Sequence, residues 1–264
     1  MSWRRPPFTR PLKPALVVFP DTTGMNPNAA PHAPPVASSW NRSGREGRKT
    51  MLRILLADDH EVVRQGLRLL LQRQEGWEIC GEATTGREAV AMASELKPDV
   101  AVLDVAMPEL NGLDATRQIR KASPRTEVLA FTMHESEALV REALAAGAKG
   151  YLLKSDAGRH VVAAVEALAA GKTYFNAKVS ATIVEGFLRS GAASPSSPDQ
   201  QFTSREREVM QLLAEGRSNK EVATRLAISV KTAEAHRAAI MRKLRARSLA
   251  DVVRYAVRNG ITPP

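Results

Sequence analysis

A chain of 264 residues, 44% of them hydrophobic, can build one large or two small cores, and two domains are the better expectation. Its single cysteine, Cys80, excludes an intramolecular disulfide and reads as a buried, inert thiol, while the lack of any apolar run near the roughly 18–20 residues of a bilayer span argues against a membrane anchor and for a cytoplasmic protein. The net charge of +10 is uneven, with +6 in residues 1–50, −2 in residues 51–190 and +6 in residues 191–264, so the C-terminal block suits a polyanion such as duplex DNA.

Residues 1–50 hold 9 of the 16 prolines and show neither helical nor strand periodicity. Such a segment buries too little apolar surface to offset its ordering entropy, so a disordered, basic N-terminal extension is expected. The apolar run Ala15–Phe19 lies between Pro14 and Pro20 and is too short for a signal peptide. Met51 opens a strand pattern abruptly, which suggests it as the native start; the competing reading is a basic tail that adds nonspecific DNA affinity.

From Met51, short apolar runs alternate with amphipathic stretches, the pattern of βαβ units and a parallel sheet. Five strands are predicted, at Arg53–Asp58, Trp77–Ala83, Val100–Asp104, Glu127–Thr132 and Gly150–Leu153. Helices are predicted near Glu61–Arg73, Gly86–Glu95, Gly112–Lys121, Glu135–Ala146 and Asp156–Ala169. Val63, Leu67, Leu70 and Leu71 share one face of the first helix, as do Val161, Val165 and Leu168 in the last. A doubly wound five-stranded α/β domain follows, with functional groups gathered beyond the carboxyl ends of its strands.

Asp58, Asp59, Asp104, Thr132 and Lys154 all fall at or just after strand ends and are expected to converge. Crowded carboxylates repel one another unless a cation neutralises them, and hard oxygen ligands suit Mg²⁺. With a hydroxyl and an ammonium alongside, the set makes a credible phosphoryl-transfer site. Taken singly, an Asp at a strand end is more often a turn former, and a lone Lys is usually solvated. The combination carries the reading.

The runs ILLADDHEVVRQGLRLLL, PDVAVLDVAMPELNGLDATRQIR, VLAFTMHE and GAKGYLLKS resemble the receiver domain of response regulators of the NarL/FixJ family, over essentially residues 52–170. The resemblance implies a flavodoxin-like receiver with Asp104 as phosphoacceptor. It implies that Asp59 binds Mg²⁺ directly, Asp58 largely through water, and Ala106 through its backbone carbonyl. Thr132 and Lys154 would contact the phosphoryl oxygens. Tyr151 matches the aromatic switch of such receivers, and a half-buried strand residue is the alternative reading. Ser155 stands where many receivers have a proline after the site lysine. His134 reads as an exposed loop residue.

The segment 171–201 reads as a linker with a short helix carrying Val179, Ile183, Val184 and Phe187, followed by the polar tether SGAASPSSPDQQ. Beyond it, residues 202–264 announce four helices. Thr203 with Glu206 and Ser218 with Glu221 form capping boxes, Ser248 pairs similarly with Asp251, and Ser229 precedes another helical run. Gly216 and Gly260 supply helix stops. The helices Asn219–Leu226 and Val230–Leu244 flank the short Ala227-Ile228-Ser229 turn, which is helix-turn-helix geometry. Leu226, Ile228, Ile240 and Leu244 are predicted core residues.

The run FTSREREVMQLLAEGRSNKEVATRLAISVKTAEAHRAAIMRKL resembles the LuxR-type DNA-binding domain. That resemblance assigns Lys231, Thr232, Glu234, Ala235, Arg237 and Ala238 to DNA contact, with Lys231 and Arg237 the chief phosphate or base ligands. Together the two resemblances imply a transcription regulator, not an enzyme. Its expected partners are a sensor histidine kinase, promoter DNA, a second copy of the chain on phosphorylation and, as a further candidate, RNA polymerase. Phosphorylation is expected to shift the fourth helix, strand five and the last receiver helix, releasing a recognition helix that the receiver covers. Two alternatives are a regulator with a vestigial receiver and a Mg²⁺-dependent phosphatase; against the latter, Ala106 stands where such enzymes place a second carboxylate.

Overall fold

Strand β1 (Leu52–Ala57) sends successive side chains to opposite faces, and that alternation organises the N-terminal core. Leu55 and Ala57 join one buried cluster with Ala101, Leu103, Val128, Ala130, Tyr151 and Leu153. Ile54 and Leu56 join the other, with Val100, Val102, Leu129, Phe131 and Leu152. These residues come from β3 (Val100–Asp104), β4 (Glu127–Thr132) and β5 (Gly150–Leu153), each buried on both faces as a parallel sheet with helices on both sides requires. The structure is a computed structural model and describes residues 51–134, 136–176, 179–181 and 202–262. The expected N-terminal extension and most of the expected linker helix therefore lie outside the described residues.

Helices α1 (Glu61–Gln72) and α5 (Ala157–Ala169) cover one face of the sheet through Leu67, Leu71, Val161, Ala164, Val165 and Leu168. The other face takes α2 (Gly86–Leu96), α3 (Gly112–Ala122) and α4 (Glu137–Ala146), with Ala89, Ala93, Ile119, Val140 and Ala143 buried. With β2 (Trp77–Ala83) and β6 (Tyr174–Phe175), the strand order is β2-β1-β3-β4-β5-β6, all parallel. The order reverses between β1 and β3, so a crevice opens beyond their carboxyl ends.

Two sequence expectations need correction. The sheet has six strands, because Tyr174 and Phe175 pair with Gly150 and Tyr151 at its edge. Two residues are too short to generate a strand pattern, and backbone pairing after the chain leaves α5 creates this one. Cys80 is half-buried, with Sγ 3.4 Å from the Ile54 carbonyl, and burial pushes its pKa up. That environment disfavours the reactive thiolate.

The C-terminal helices are α6 (Ser204–Ala214), α7 (Asn219–Arg225), α8 (Val230–Leu244) and α9 (Leu249–Arg258). Thr203 and Ser218 open α6 and α7 with complete capping boxes to Glu206 and Glu221. Gly216 and Gly260 adopt φ of +80° and +64°, a region natural to glycine, at the ends of α6 and α9. Their core holds Phe202, Val209, Met210, Leu213, Val222, Leu226, Ile240 and Val252, with Ile228 and Leu244 partly buried against it. The described residues all belong to one compact unit beginning at Arg48.

Candidate functional site

Parallel strands bring their carboxyl ends together, and here that edge is charged. Asp58 follows β1 directly, Asp104 ends β3, and both are buried, at 1% and 2% exposure. Lys154, immediately after β5, sets its Nζ 2.7 Å from Asp58 Oδ2 and 2.9 Å from Asp104 Oδ2. One ammonium thus serves two buried carboxylates. Burial raises the Asp104 pKa, Lys154 pulls it back, and the neighbouring Asp58 charge pushes it up again, leaving it above the ordinary carboxylate range. Burial also pulls on Lys154, but the hydrogen bonds and charges of Asp58 and Asp104 outweigh it and raise the lysine pKa. Phe131 places its ring centroid 5.8 Å from the same ammonium.

The β1–α1 turn is held from several sides. Asp58 Oδ1 accepts from the His60 amide at 2.9 Å, and Arg64 Nη1 donates to the Asp58 carbonyl at 2.6 Å. Asp59 is exposed and pairs with His60 Nδ1 at 2.8 Å. Side-chain atoms of Asp58, Asp59, His60 and Asp104 all lie within 4.8 Å of one another. Three carboxylates with one neighbouring ammonium leave a net negative, oxygen-rich pocket, a donor set that fits a hard divalent cation. Sequence reasoning passed over His60; its place directly after the Asp pair was the available signal.

The remaining expected site residues lie nearby. Ala106 follows Asp104 in the β3–α3 loop, and its amide donates to Asp104 Oδ1 at 3.2 Å. Gly112 starts α3 so close to this loop that a Cβ there would meet the Asp104 carbonyl oxygen at 2.0 Å, so no larger residue fits. Thr132 is fully buried one residue beyond Phe131, the partner of Asp104 in the sheet, and its Oγ1 accepts from the His134 amide at 3.1 Å. Tyr151 is 1% exposed, deeper than the half-buried reading, and its hydroxyl donates to the His134 carbonyl at 2.7 Å. The ring already lies inward. His134 is exposed, as expected.

A second candidate surface lies on α8. Ser229 caps it by accepting from the Thr232 amide at 3.0 Å, and Ala233 and Ile240 turn inward to the core. That leaves Lys231, Thr232, Glu234, Ala235 and Ala238 exposed and Arg237 half-exposed along the outer side. A helix capped by Ser229, with Lys231 in its first turn and Arg237 midway along its outer side, suits the major groove. The α/β domain does not cover it, contrary to expectation. The α/β domain chiefly meets α6, whose Arg207, Glu208 and Gln211 are all buried although polar. Arg207 Nε donates to Asp114 Oδ1 at 2.9 Å, and Glu208 accepts from Arg87 at 3.1 Å and Gln118 at 3.0 Å. This polar face matches the β3–α3 region, so α6 docks there and α8 is left free.

The description "Response regulator receiver domain" matches residues 54–166, and "Bacterial regulatory proteins, luxR family" matches residues 200–256. Oxygen regulatory protein NreC of Staphylococcus epidermidis is 38% identical over 215 residues, spanning 80% of this chain and 99% of that protein. The chain belongs to the NarL/FixJ family of response regulators. NreC of Staphylococcus aureus is 37% identical over 214 residues and is covered to the same extent, 99% against 80% of this regulator. Among solved structures, a LuxR-family two-component response regulator from Aurantimonas matches with a TM-score of 0.50 and 37% identity, covering 52% of this chain and 99% of that one. RcsB from Salmonella enterica serovar Typhimurium, bound to promoter P1flhDC in the presence of a phosphomimetic, matches with a TM-score of 0.51 and 25% identity over 80% of this chain and 99% of RcsB. The response regulator therefore combines a receiver with a LuxR-type DNA-binding domain and is a transcription factor rather than an enzyme of conventional kind. Among its described residues no helix is long and apolar enough to cross a membrane.

Proposed function

We propose that the regulator accepts a phosphoryl group on Asp104 from a sensor histidine kinase and, so modified, binds promoter DNA as a dimer. The observation that carries this reading is the buried pair Asp58 and Asp104 sharing Lys154 at the sheet's switch point. An Asp104 oxygen attacks phosphorus, the bond from phosphorus to the donor imidazole breaks, and an acyl phosphate forms. Lys154 stays beside Asp104 and balances charge on the transferred group. Asp58, Asp59, Asp104 and the Ala106 carbonyl are the residues that would hold Mg²⁺, whose chemistry is to neutralise phosphoryl oxygens. The Thr132 hydroxyl accepts from the His134 amide and keeps its own proton to donate to a phosphoryl oxygen. Because the His134 carbonyl also holds Tyr151, a shift of Thr132 toward the phosphoryl group would be carried to β5 and α4.

DNA contact is assigned to Lys231, Thr232, Glu234, Ala235, Arg237 and Ala238, supported by their outward placement on α8 and by the likeness to promoter-bound RcsB. A dimer on paired half-sites multiplies the specificity of one small module. A cytoplasmic location follows from partners that are promoter DNA and, as a further candidate, RNA polymerase. Incubation with labelled acetyl phosphate and Mg²⁺ tests the central claim. Stoichiometric labelling of wild type and none of Asp104→Asn is expected, with operator affinity rising only in the wild type. No labelling of a folded wild type would leave a vestigial receiver, and continuous release of phosphate would indicate a phosphatase.

A further inference from the structure

The loop after Asp104 is held by the other domain. Between Ala106 and α3, the Met107 carbonyl, the Glu109 amide and the Asn111 amide find their partners on α6 and the residue that ends it. Gln211 Nε2 donates to the Met107 carbonyl at 2.9 Å, and its Oε1 accepts from the Asn111 amide at 2.7 Å. Glu215 Oε1 accepts from the Glu109 amide at 2.9 Å, and Arg225 pairs with the Glu109 carboxylate. Gln211 itself is fully buried. Its second Nε2 proton goes to Glu215 at 2.9 Å, and Asn111 Nδ2 approaches its Oε1 at 3.3 Å. Both ends of the amide are thus committed, so its orientation is determined by the network. Glu109 sits at φ +66°, a strained conformation for a side-chain-bearing residue that surrounding contacts must maintain.

We propose that Gln211, a residue of the DNA-binding domain, is a positioning residue for the divalent-cation site of the receiver. It clasps the carbonyl immediately after that of Ala106, while Ala106 is tied on its other side to Asp104 through its amide. A backbone ligand binds well only if its loop is already in place, because ordering the loop on binding costs affinity. Docking of α6 therefore tunes the cation site, and by thermodynamic reciprocity the cation favours docking. The inference rests on the cation reading given above.

The test uses the full chain and Mn²⁺, whose free concentration is read by electron paramagnetic resonance. Gln211→Met keeps the side chain's bulk and removes its hydrogen bonds. The expected result is a Kd for Mn²⁺ weakened about 3- to 10-fold, within or near the usual range of site-to-site coupling, together with faster hydrogen exchange at the Glu109 and Asn111 amides. Should that variant fail to fold, Glu215→Met interrogates the same loop through Glu109 with the same direction expected. A variant that folds, even with lowered stability, but binds Mn²⁺ as wild type does or more tightly overturns the inference alone. A wild type that binds no Mn²⁺ overturns the cation reading beneath it.

Discussion

Asp58 and Asp104 lie almost out of reach of water with one ammonium between them, so the ground state carries a buried negative charge in excess. Uncompensated buried charge is costly, and the proposed phosphoacceptor role would require keeping it. Asp104→Asn leaves a balanced Asp58–Lys154 pair. We expect it to raise unfolding stability in EDTA by about 1 kcal/mol, measured by urea titration, and to lose most of the wild type's stabilisation by Mg²⁺. Unchanged stability in EDTA would contradict the charge imbalance. These residues were legible because each closes an apolar run, and parallel strands place such closings side by side. The depth of Tyr151 was not legible, since a tyrosine at that register fits either a rim or an interior, and only the His134 carbonyl beneath it decides.

Helix starts were the most readable elements, because a cap is a local chemical event. Thr203 and Ser218 each accept from an amide three residues on, and the glutamates there reach back to the cap amides. Glu206 does more, meeting Lys243 of α8 at 2.6 Å and so tying α6 to the recognition helix. Burial raises its pKa, but Lys243 and Thr203 outweigh that and hold it below the usual carboxylate range. A depressed carboxylate contributes stability that is fully present above the unfolded-state pKa of about 4.3 and is lost as pH falls through the folded value. Glu206→Gln should thus be less stable than wild type by roughly 1 kcal/mol at neutral pH. Denaturation curves taken across pH should converge in acid, and a constant gap down to pH 2 would refute the assignment. The β6 pairing, by contrast, left no trace in the pattern, since two residues cannot show a period of two.

At the scale of the whole chain, α6 is buried on two sides. Val209, Met210, Leu212 and Leu213 face their own core, while Arg207, Glu208 and Gln211 face the receiver. Asp114 is the anchor, accepting from Arg207 at 2.9 Å and Arg117 at 3.0 Å. Removing one partner of such a pair strands the other, at a cost of about 3 kcal/mol. Asp114→Ala is expected to loosen docking and enlarge the radius of gyration measured by X-ray scattering. Scattering identical to wild type would mean that docking does not depend on this pair.

Apolar periodicity, strand-end carboxylates and caps are properties of neighbours in the chain, and they determined two domains, the parallel sheet, the helix-turn-helix and the charged edge. The polar stripe Arg207, Glu208, Gln211 and Glu215 carries no local mark that separates a solvated face from a buried one. Hydrogen-bonding groups settle on whichever surface satisfies them, and that surface, from Arg87 to Gln118, is assembled only when distant segments meet. The tertiary structure alone therefore decided that the receiver holds α6 and leaves the recognition helix open.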